Sequence, residues 1–127
     1  MSKQIIIQPI PQKSEDSRGS VHFIDLKQLG EYMIFYRKKG AIGGNHYHKG
    51  LSTAKNPEQF LLVSGEATLR WKNLETLESG MNKLISPVEV HIYPWIWHQV
   101  EADTDYIMIE LNAMEEGKSD TFYLENN

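Results

Sequence analysis

Short segments in which apolar and polar residues alternate run along the chain, and clusters of Gly, Pro, Asn and Asp separate them. Segments of this length, rich in β-branched and aromatic residues, are typical of β-strands, and their close spacing is typical of a sandwich or small barrel. The pattern therefore predicts an all-β fold. Its strands are expected at 4–8, 20–25, 33–38, 44–48, 59–64, 67–71, 88–93, 98–101, 106–111 and 121–124.

The clearest turn signal joins two of these strands. The run 59–64 ends at Gly65, and the alternating run 67–71 follows it closely. Two alternating runs joined at a glycine indicate a β-hairpin whose apolar side chains face inwards. Segment 51–57 is polar and is predicted to be a surface excursion, and segment 74–82 is predicted to be a second loop.

The size of the chain favours one domain. It has 127 residues, and a domain of this length, here residues 1–127, buries roughly two thirds of its unfolded surface. A core can therefore form without disulfides, and the chain contains no cysteine. Thiol chemistry and cysteine-based zinc sites are excluded.

Charge and hydropathy argue against two classes of partner. The chain has 13 basic and 17 acidic residues and a net charge of -4, so no basic surface is expected for nucleic acid or membranes. The longest apolar run, Tyr32 to Tyr36, is far shorter than the roughly 20 residues of a membrane-spanning helix, and no signal-type region follows Lys3. A soluble, cytoplasmic protein that binds a small molecule is expected.

Four histidine and glutamate residues are the candidates for a functional site. His46 and His48 lie two positions apart on a predicted strand, so their side chains point the same way, roughly 6.6 Å apart. Such a pair alone is more often simply solvated, but Glu58 and His98 begin two further strand-like segments. Nitrogen and carboxylate ligands suit zinc, iron, manganese, nickel or cobalt. The four residues are therefore predicted to bind a divalent metal ion, whose identity their spacing does not select.

These residues resemble the first motif of the cupin superfamily, which this chain matches at Gly40, His46, His48, Glu58 and Gly65. In that family the glutamate follows the histidines more closely, so segment 51–57 is interpreted as an insertion. The second cupin motif is less complete, because only His98 survives among Pro87, Tyr93, Trp95, His98 and Ala102. The resemblance implies a single-domain cupin β-barrel, or double-stranded jelly roll, with a metal in its mouth.

A narrower resemblance concerns cupin epimerases and ketoisomerases of nucleotide-linked deoxysugars. It is carried by residues 16–20 (Asp-Ser-Arg-Gly-Ser), 44–49 and 119–123. In those relatives the arginine of the Asp-x-Arg-Gly motif helps to bind the nucleotide diphosphate, and some members use zinc whereas others use no metal. The resemblance implies that Arg18 binds phosphate. From the residues alone, a salt bridge between Arg18 and Asp16 is equally expected.

Epimerisation or a keto shift requires removal of a proton from the carbon beside a carbonyl, and a divalent metal assists by polarising the carbonyl oxygen. Glu58 and His98 are the candidate catalytic residues, and burial in an apolar barrel is expected to raise the pKa of Glu58. Trp95 is a candidate stacking surface for the substrate, although such aromatic residues more often fill cores. Tyr36 is a further candidate for substrate binding.

Two other functions remain open at this point. An iron-dependent cupin dioxygenase would use the same ligands, and a non-catalytic cupin would only bind a small ligand, since fold does not imply function. The predicted strand 4–8 is expected at a sheet edge, where pairing with a second subunit would cover it. A homodimer is therefore predicted.

Overall fold

A computed structural model describes residues 5–25, 30–111 and 120–124, and no helix occurs within these ranges. The strands are β1 (Ile5–Pro9), β2 (Gln12–Asp16), β3 (Gly19–His22), β4 (Tyr32–Arg37), β5 (Ile42–His46), β6 (Glu58–Ser64), β7 (Glu66–Asn73), β8 (Ser79–Ile85), β9 (Val88–Ile92), β10 (Ile96–Ala102) and β11 (Tyr106–Leu111). The all-β prediction is confirmed. Gln4 and Ser119, which the sequence analysis included in a strand and a motif, lie outside the described residues.

The strands form two large sheets and one hairpin. The five-stranded sheet has the order β1-β9-β6-β11-β4, the four-stranded sheet has the order β5-β10-β7-β8, and β2 pairs with β3. All neighbours are antiparallel. In the described part of the chain no strand ladder joins the two large sheets, so they form a sandwich with open edges. No helix of the described residues is long and apolar enough to cross a membrane.

The core lies between the two large sheets. Leu62 and Ile92 from one sheet and Leu69, Leu84 and Ile96 from the other are almost completely buried. Burial of each such side chain contributes roughly 1.5–3 kcal/mol. Along β10 burial alternates at every residue, with the even-numbered positions inside. This alternation points the side chain of residue 98 into the sandwich.

The predicted hairpin at Gly65 is wrong. β6 pairs with β9 and β11, whereas β7 pairs with β8 and β10, so the chain crosses from one sheet to the other at this glycine. Gly65 has a φ of 91°, and a Cβ there would clash with the backbone carbonyl of Asp105. A corner between facing sheets keeps both runs pointing inwards, as a hairpin does, so the alternation alone did not distinguish the two.

The loop predictions need correction. Segment 74–82 contains the start of β8, an edge strand whose polar residues are exposed. Segment 51–57 is not a surface excursion throughout, because Ser52, Ala54 and Lys55 are buried. The predicted strand 121–124 is reduced to one bridge between Phe122 and Tyr47.

Candidate functional site

The four predicted metal-binding residues lie together at one end of the sandwich. His46 ends β5 and stands directly opposite His98 of β10 in the four-stranded sheet. Glu58, the first residue of β6, reaches the same point from the five-stranded sheet. The atoms that these residues and His48 offer as ligands lie within 4.8 Å of one another. The structure thus brings the four together, and their role as ligands stays a prediction.

A local distortion of β5 aims the first histidine pair. Gly44 and Asn45 both have positive φ angles, 78° and 64°, and the β5–β10 ladder has a bulge between His98 and Gln99. A Cβ on Gly44 would lie 3.1 Å from the carbonyl oxygen of His98, so the strands approach too closely there for most side chains. Bulges of this kind re-aim side chains near functional sites. Here the rings of residues 46 and 48 come to 4.8 Å between centroids.

Backbone carbonyls fix the tautomers of two histidines. Nδ1 of His48 lies 2.6 Å from the carbonyl oxygen of Asp120, and Nδ1 of His98 lies 3.0 Å from that of Ile96. A carbonyl only accepts, so Nδ1 carries the proton in each ring. In the neutral imidazoles Nε2 therefore presents a lone pair. This arrangement is the one that metal-ligating histidines usually show.

Both Nε2 atoms point at the same carboxylate oxygen. Oε2 of Glu58 lies 2.9 Å from Nε2 of His48 and 2.8 Å from Nε2 of His98. Although Nε2 of His98 is so close to this oxygen, its geometry does not form a hydrogen bond, and it finds no other partner among the described residues. A buried nitrogen without a hydrogen bond, beside two further imidazoles and a carboxylate, fits a divalent cation.

Burial and charge perturb the titration of the cluster. Burial, with the charge of His98 adding to it, lowers the pKa of His46 to about 4, so this ring is neutral near pH 7. Burial opposes ionisation of Glu58, but the charge of His98 and hydrogen bonds with Glu110 and His48 hold its pKa well below the usual value. This direction is opposite to the rise expected from the sequence. Burial also lowers the pKa of His98, yet the charge of Glu58 outweighs it and the net pKa is raised.

The cluster borders a cavity of about 440 Å³ between the two sheets. Much of its wall is apolar, formed by Met33, Phe35, Phe60, Val100 and Met108. Arg37 and Tyr123 also line it, and both are exposed, so they lie where the cavity opens to solvent. Burial raises the pKa of Tyr106, another lining residue, which keeps its phenol protonated. A small polar molecule could therefore enter and reach the histidines.

Sequence reasoning missed two charged residues in this wall. Nζ of Lys55 lies 3.6 Å from Oε1 of Glu58 and 3.5 Å from Oε1 of Glu110, and all three side chains are buried. Burial and the charge of Glu58 raise the pKa of Glu110 well above its usual value, which favours the protonated form that donates a hydrogen bond to Glu58. Glu110 could have been found from sequence, because it is a carboxylate among the inward-facing residues of β11. Lys55 could not, because it lies in a segment that is polar throughout.

A third missed residue is Asp120. Its carboxylate is completely buried and accepts hydrogen bonds from the backbone N–H groups of Lys49, Gly50 and Ser52, at 2.8, 3.1 and 3.0 Å. Its backbone carbonyl is the one that orients His48. The segment 120–124 therefore ties down the loop that follows the histidine pair.

The three predicted substrate-binding residues do not line the cavity. Arg18 is 89% exposed on the β2–β3 turn and pairs with Asp16 at 2.7 Å, the alternative reading that the sequence left open. Tyr36 is 73% exposed on the outer face of β4. Trp95 packs against Tyr47 at a centroid distance of 5.7 Å. Their contact with a substrate stays a prediction that the geometry of one chain does not support.

Comparison with models of protein families shows to which family the chain belongs. The family model described as the polysaccharide biosynthesis C-terminal domain matches residues 14–122. The chain belongs to this family. No curated protein matches the sequence.

Several solved structures resemble this member of the polysaccharide biosynthesis C-terminal domain family. One is QdtA, a sugar 3,4-ketoisomerase from Thermoanaerobacterium thermosaccharolyticum in complex with TDP, with 17% identity, a TM-score of 0.73, and coverage of 98% of this chain and 90% of QdtA. Another is ChmJ, a 3'-monoepimerase from Streptomyces bikiniensis, with 14% identity, a TM-score of 0.71, and coverage of 86% and 63%. At these identities the likeness shows the fold.

A third structure is more similar in sequence. The capsular polysaccharide assembling protein CapF from Staphylococcus aureus shares 28% identity, with a TM-score of 0.60, over 93% of this chain and 35% of CapF. The chain thus corresponds to about a third of that protein. Together these structures confirm the cupin resemblance found in the sequence.

Proposed function

We propose that this chain isomerises or epimerises a nucleotide-linked keto sugar with the help of a divalent metal ion. The observation that carries the proposal is the convergence of His46, His48, Glu58 and His98 on one point beside a cavity of about 440 Å³. Family membership and the likeness to two nucleotide-sugar isomerases and epimerases support the choice of substrate class.

The histidines and Glu58 would hold the ion, since two of the rings already present Nε2 lone pairs to it. Once bound, a divalent ion polarises the keto oxygen of the sugar. We assign proton removal to His98 or Glu58. His98 lines the cavity and its Nε2 lacks a hydrogen-bond partner among the described residues, so this nitrogen can accept a proton once the ring is neutral. The apolar part of the wall would exclude water from a bound sugar.

The remaining predictions belong to the same proposal. We propose one domain over residues 1–127 with the topology of a jelly roll, in a cytoplasmic homodimer that binds neither nucleic acid nor membrane. β1 is an edge strand of the five-stranded sheet, which supports pairing with a second subunit there. Light scattering of the purified protein measures the oligomeric state, and a monomer at micromolar concentration would contradict the dimer.

Hydrogen exchange tests the reaction. In deuterium oxide the protein, purified without chelator, is expected to incorporate one deuterium into a thymidine-diphosphate-linked 4-keto-6-deoxy sugar, as mass spectrometry would show. His98→Asn is expected to slow incorporation at least 100-fold, within the range that a lost acid–base group costs. His91→Asn is the matched control, because His91 lies outside the cavity and pairs with Glu89.

The same samples distinguish the alternatives. Bound metal without exchange on any keto-sugar nucleotide would contradict isomerisation and leave the metal site intact. Oxygen consumption only with ferrous iron would instead establish the dioxygenase alternative. Tight binding of a ligand without turnover would establish a binding module.

A further inference from the structure

Lys55 is the buried charge that the proposed reaction leaves unexplained. It lies in a tight turn, where its N–H donates to the carbonyl of Ser52 at 3.0 Å, and it bridges to Glu58. Its side chain is only 4% exposed. Lysine is almost never buried this deeply unless it is paired, because removing an ammonium group from water costs several kcal/mol. The ion pairs that Lys55 makes with Glu58 and Glu110 must therefore compensate for its burial.

The two oxygens of Glu58 face different partners. Oε1 lies 3.6 Å from Nζ of Lys55, whereas Oε2 lies within 2.9 Å of Nε2 in both His48 and His98. Oε1 of Glu110 lies 3.5 Å from the same Nζ, and Glu110 is hydrogen-bonded to Glu58. Lys55 and Glu110 thus occupy one side of the Glu58 carboxylate and leave the other side to the imidazoles.

We propose that Lys55 and Glu110 are positioning residues that fix the Glu58 carboxylate, so that Oε2 alone is presented to the metal ion. This inference rests on the metal site of the proposed function and adds two residues from outside the ligand set. Hydrogen-bonded partners of this kind orient ligands, and their removal typically weakens metal affinity 10–100-fold.

Charge and position make opposite predictions for Lys55. A positive group near a cation repels it, so a purely electrostatic role predicts that removing the ammonium group strengthens metal binding. A positioning role predicts weaker binding, because Glu58 loses the partner that holds Oε1 in place. The sign of the change therefore separates the two roles.

The experiment titrates Co²⁺ and Zn²⁺ alone into native protein and into Lys55→Met by calorimetry. Methionine has a similar length and adapts to a buried site. We expect Lys55→Met to bind both ions 10–100-fold more weakly, with a changed Co²⁺ absorption spectrum. Lys83→Met is the matched control: Lys83 also pairs with two carboxylates, Glu66 and Asp103, but on the surface, and its loss is expected to leave affinity unchanged.

A double-mutant cycle tests whether Lys55 acts through Glu58. In a Glu58→Gln background, Lys55→Met is expected to cause little further loss of affinity, because the carboxylate that it positions is gone. Equal or tighter binding by Lys55→Met, or additive losses in the double variant, would overturn the proposal. Thermal unfolding in chelator shows which variants fold.

Should Lys55→Met fail to fold, Glu110→Met takes its place, since methionine has a similar length but can neither donate a hydrogen bond to Glu58 nor pair with the ammonium group. It is expected to weaken metal binding several-fold, and unchanged binding would overturn the inference. Native protein that binds neither ion would overturn it together with the metal site. Native protein that binds metal normally but exchanges no proton on a keto sugar would remove only the proposed reaction.

Discussion

At the scale of single residues, the contact between His98 and Glu58 couples the site to pH. Burial disfavours charge on both, yet the pKa of His98 is raised and that of Glu58 is lowered well below normal, because each charge supports the other. The stabilisation that comes from a raised histidine pKa is complete below about pH 6.5, and it is lost as the pH rises through the raised pKa. The stabilisation that comes from a lowered glutamate pKa is complete above about pH 4.5, and it is lost as the pH falls through the lowered pKa.

The pair is therefore expected to stabilise metal-free protein most between about pH 4.5 and 6.5. The measurement is the melting temperature of chelator-treated protein across pH, with the profile of His98→Gln subtracted from that of the native protein. A difference that is flat, or that peaks above pH 8, would contradict this assignment. His91→Gln supplies the control, because its partner Glu89 lies outside the cavity.

Much of the candidate ligand set was accessible from sequence because β-strand alternation is a local rule and placed His46 and His48 on one face of a predicted strand. His98 came from the resemblance to the second cupin motif, and the structure places it on the inner face of β10 with Ile96 and Val100. The partners of Glu58 were not accessible, because Lys55 comes from a polar turn whose burial depends on tertiary contacts. For the same reason the pKa of Glu58 was expected to rise, whereas opposing charge from His98 lowers it.

At the scale of elements, the segment 120–124 fixes the loop behind the histidine pair. The carboxylate of Asp120 accepts hydrogen bonds from three backbone N–H groups, one buried and two partly buried, and each would lose its acceptor if the carboxylate were removed. Sequence alternation does not reveal such a clamp, since its partners are about 70 residues away along the chain. The crossing at Gly65 escaped sequence reasoning for a related reason: pairing partners are set by the whole sheet.

We expect Asp120→Ala to lower the free energy of unfolding by on the order of 2–4 kcal/mol, because one buried and two partly buried donors are left unsatisfied. Denaturant unfolding measures the change. Asp16→Ala is the control: this carboxylate also accepts a backbone N–H, from Arg18, but on an exposed turn, so its loss is expected to cost within about 0.5 kcal/mol. Equal losses in the two variants would show that the clamp contributes no more than a surface contact.

At the scale of the whole molecule, the candidate metal site lies where the two sheets meet. His46 and His98 belong to the four-stranded sheet, and Glu58 belongs to the five-stranded sheet. In the described residues the sheets share no strand ladder, so side-chain packing is what holds them together. A ligand bound by residues from both sheets adds to that packing.

Metal addition is therefore expected to stabilise the entire fold. At a free concentration 100 times the dissociation constant, the gain is about 2.7 kcal/mol if only the native state binds. Calorimetric melting with and without Zn²⁺ measures it. Glu58→Gln should reduce this gain in the free energy of unfolding. If Zn²⁺ stabilises the variant as much as the native protein, only the four-stranded sheet with its histidines contacts the ion.

The ion would thus link the two sheets at one end of the sandwich. Its removal by a chelator should let the sheets separate at that end first. Amide protons near the start of β6 and the end of β5 would then exchange faster with solvent, while those near the Gly65 crossing keep their protection.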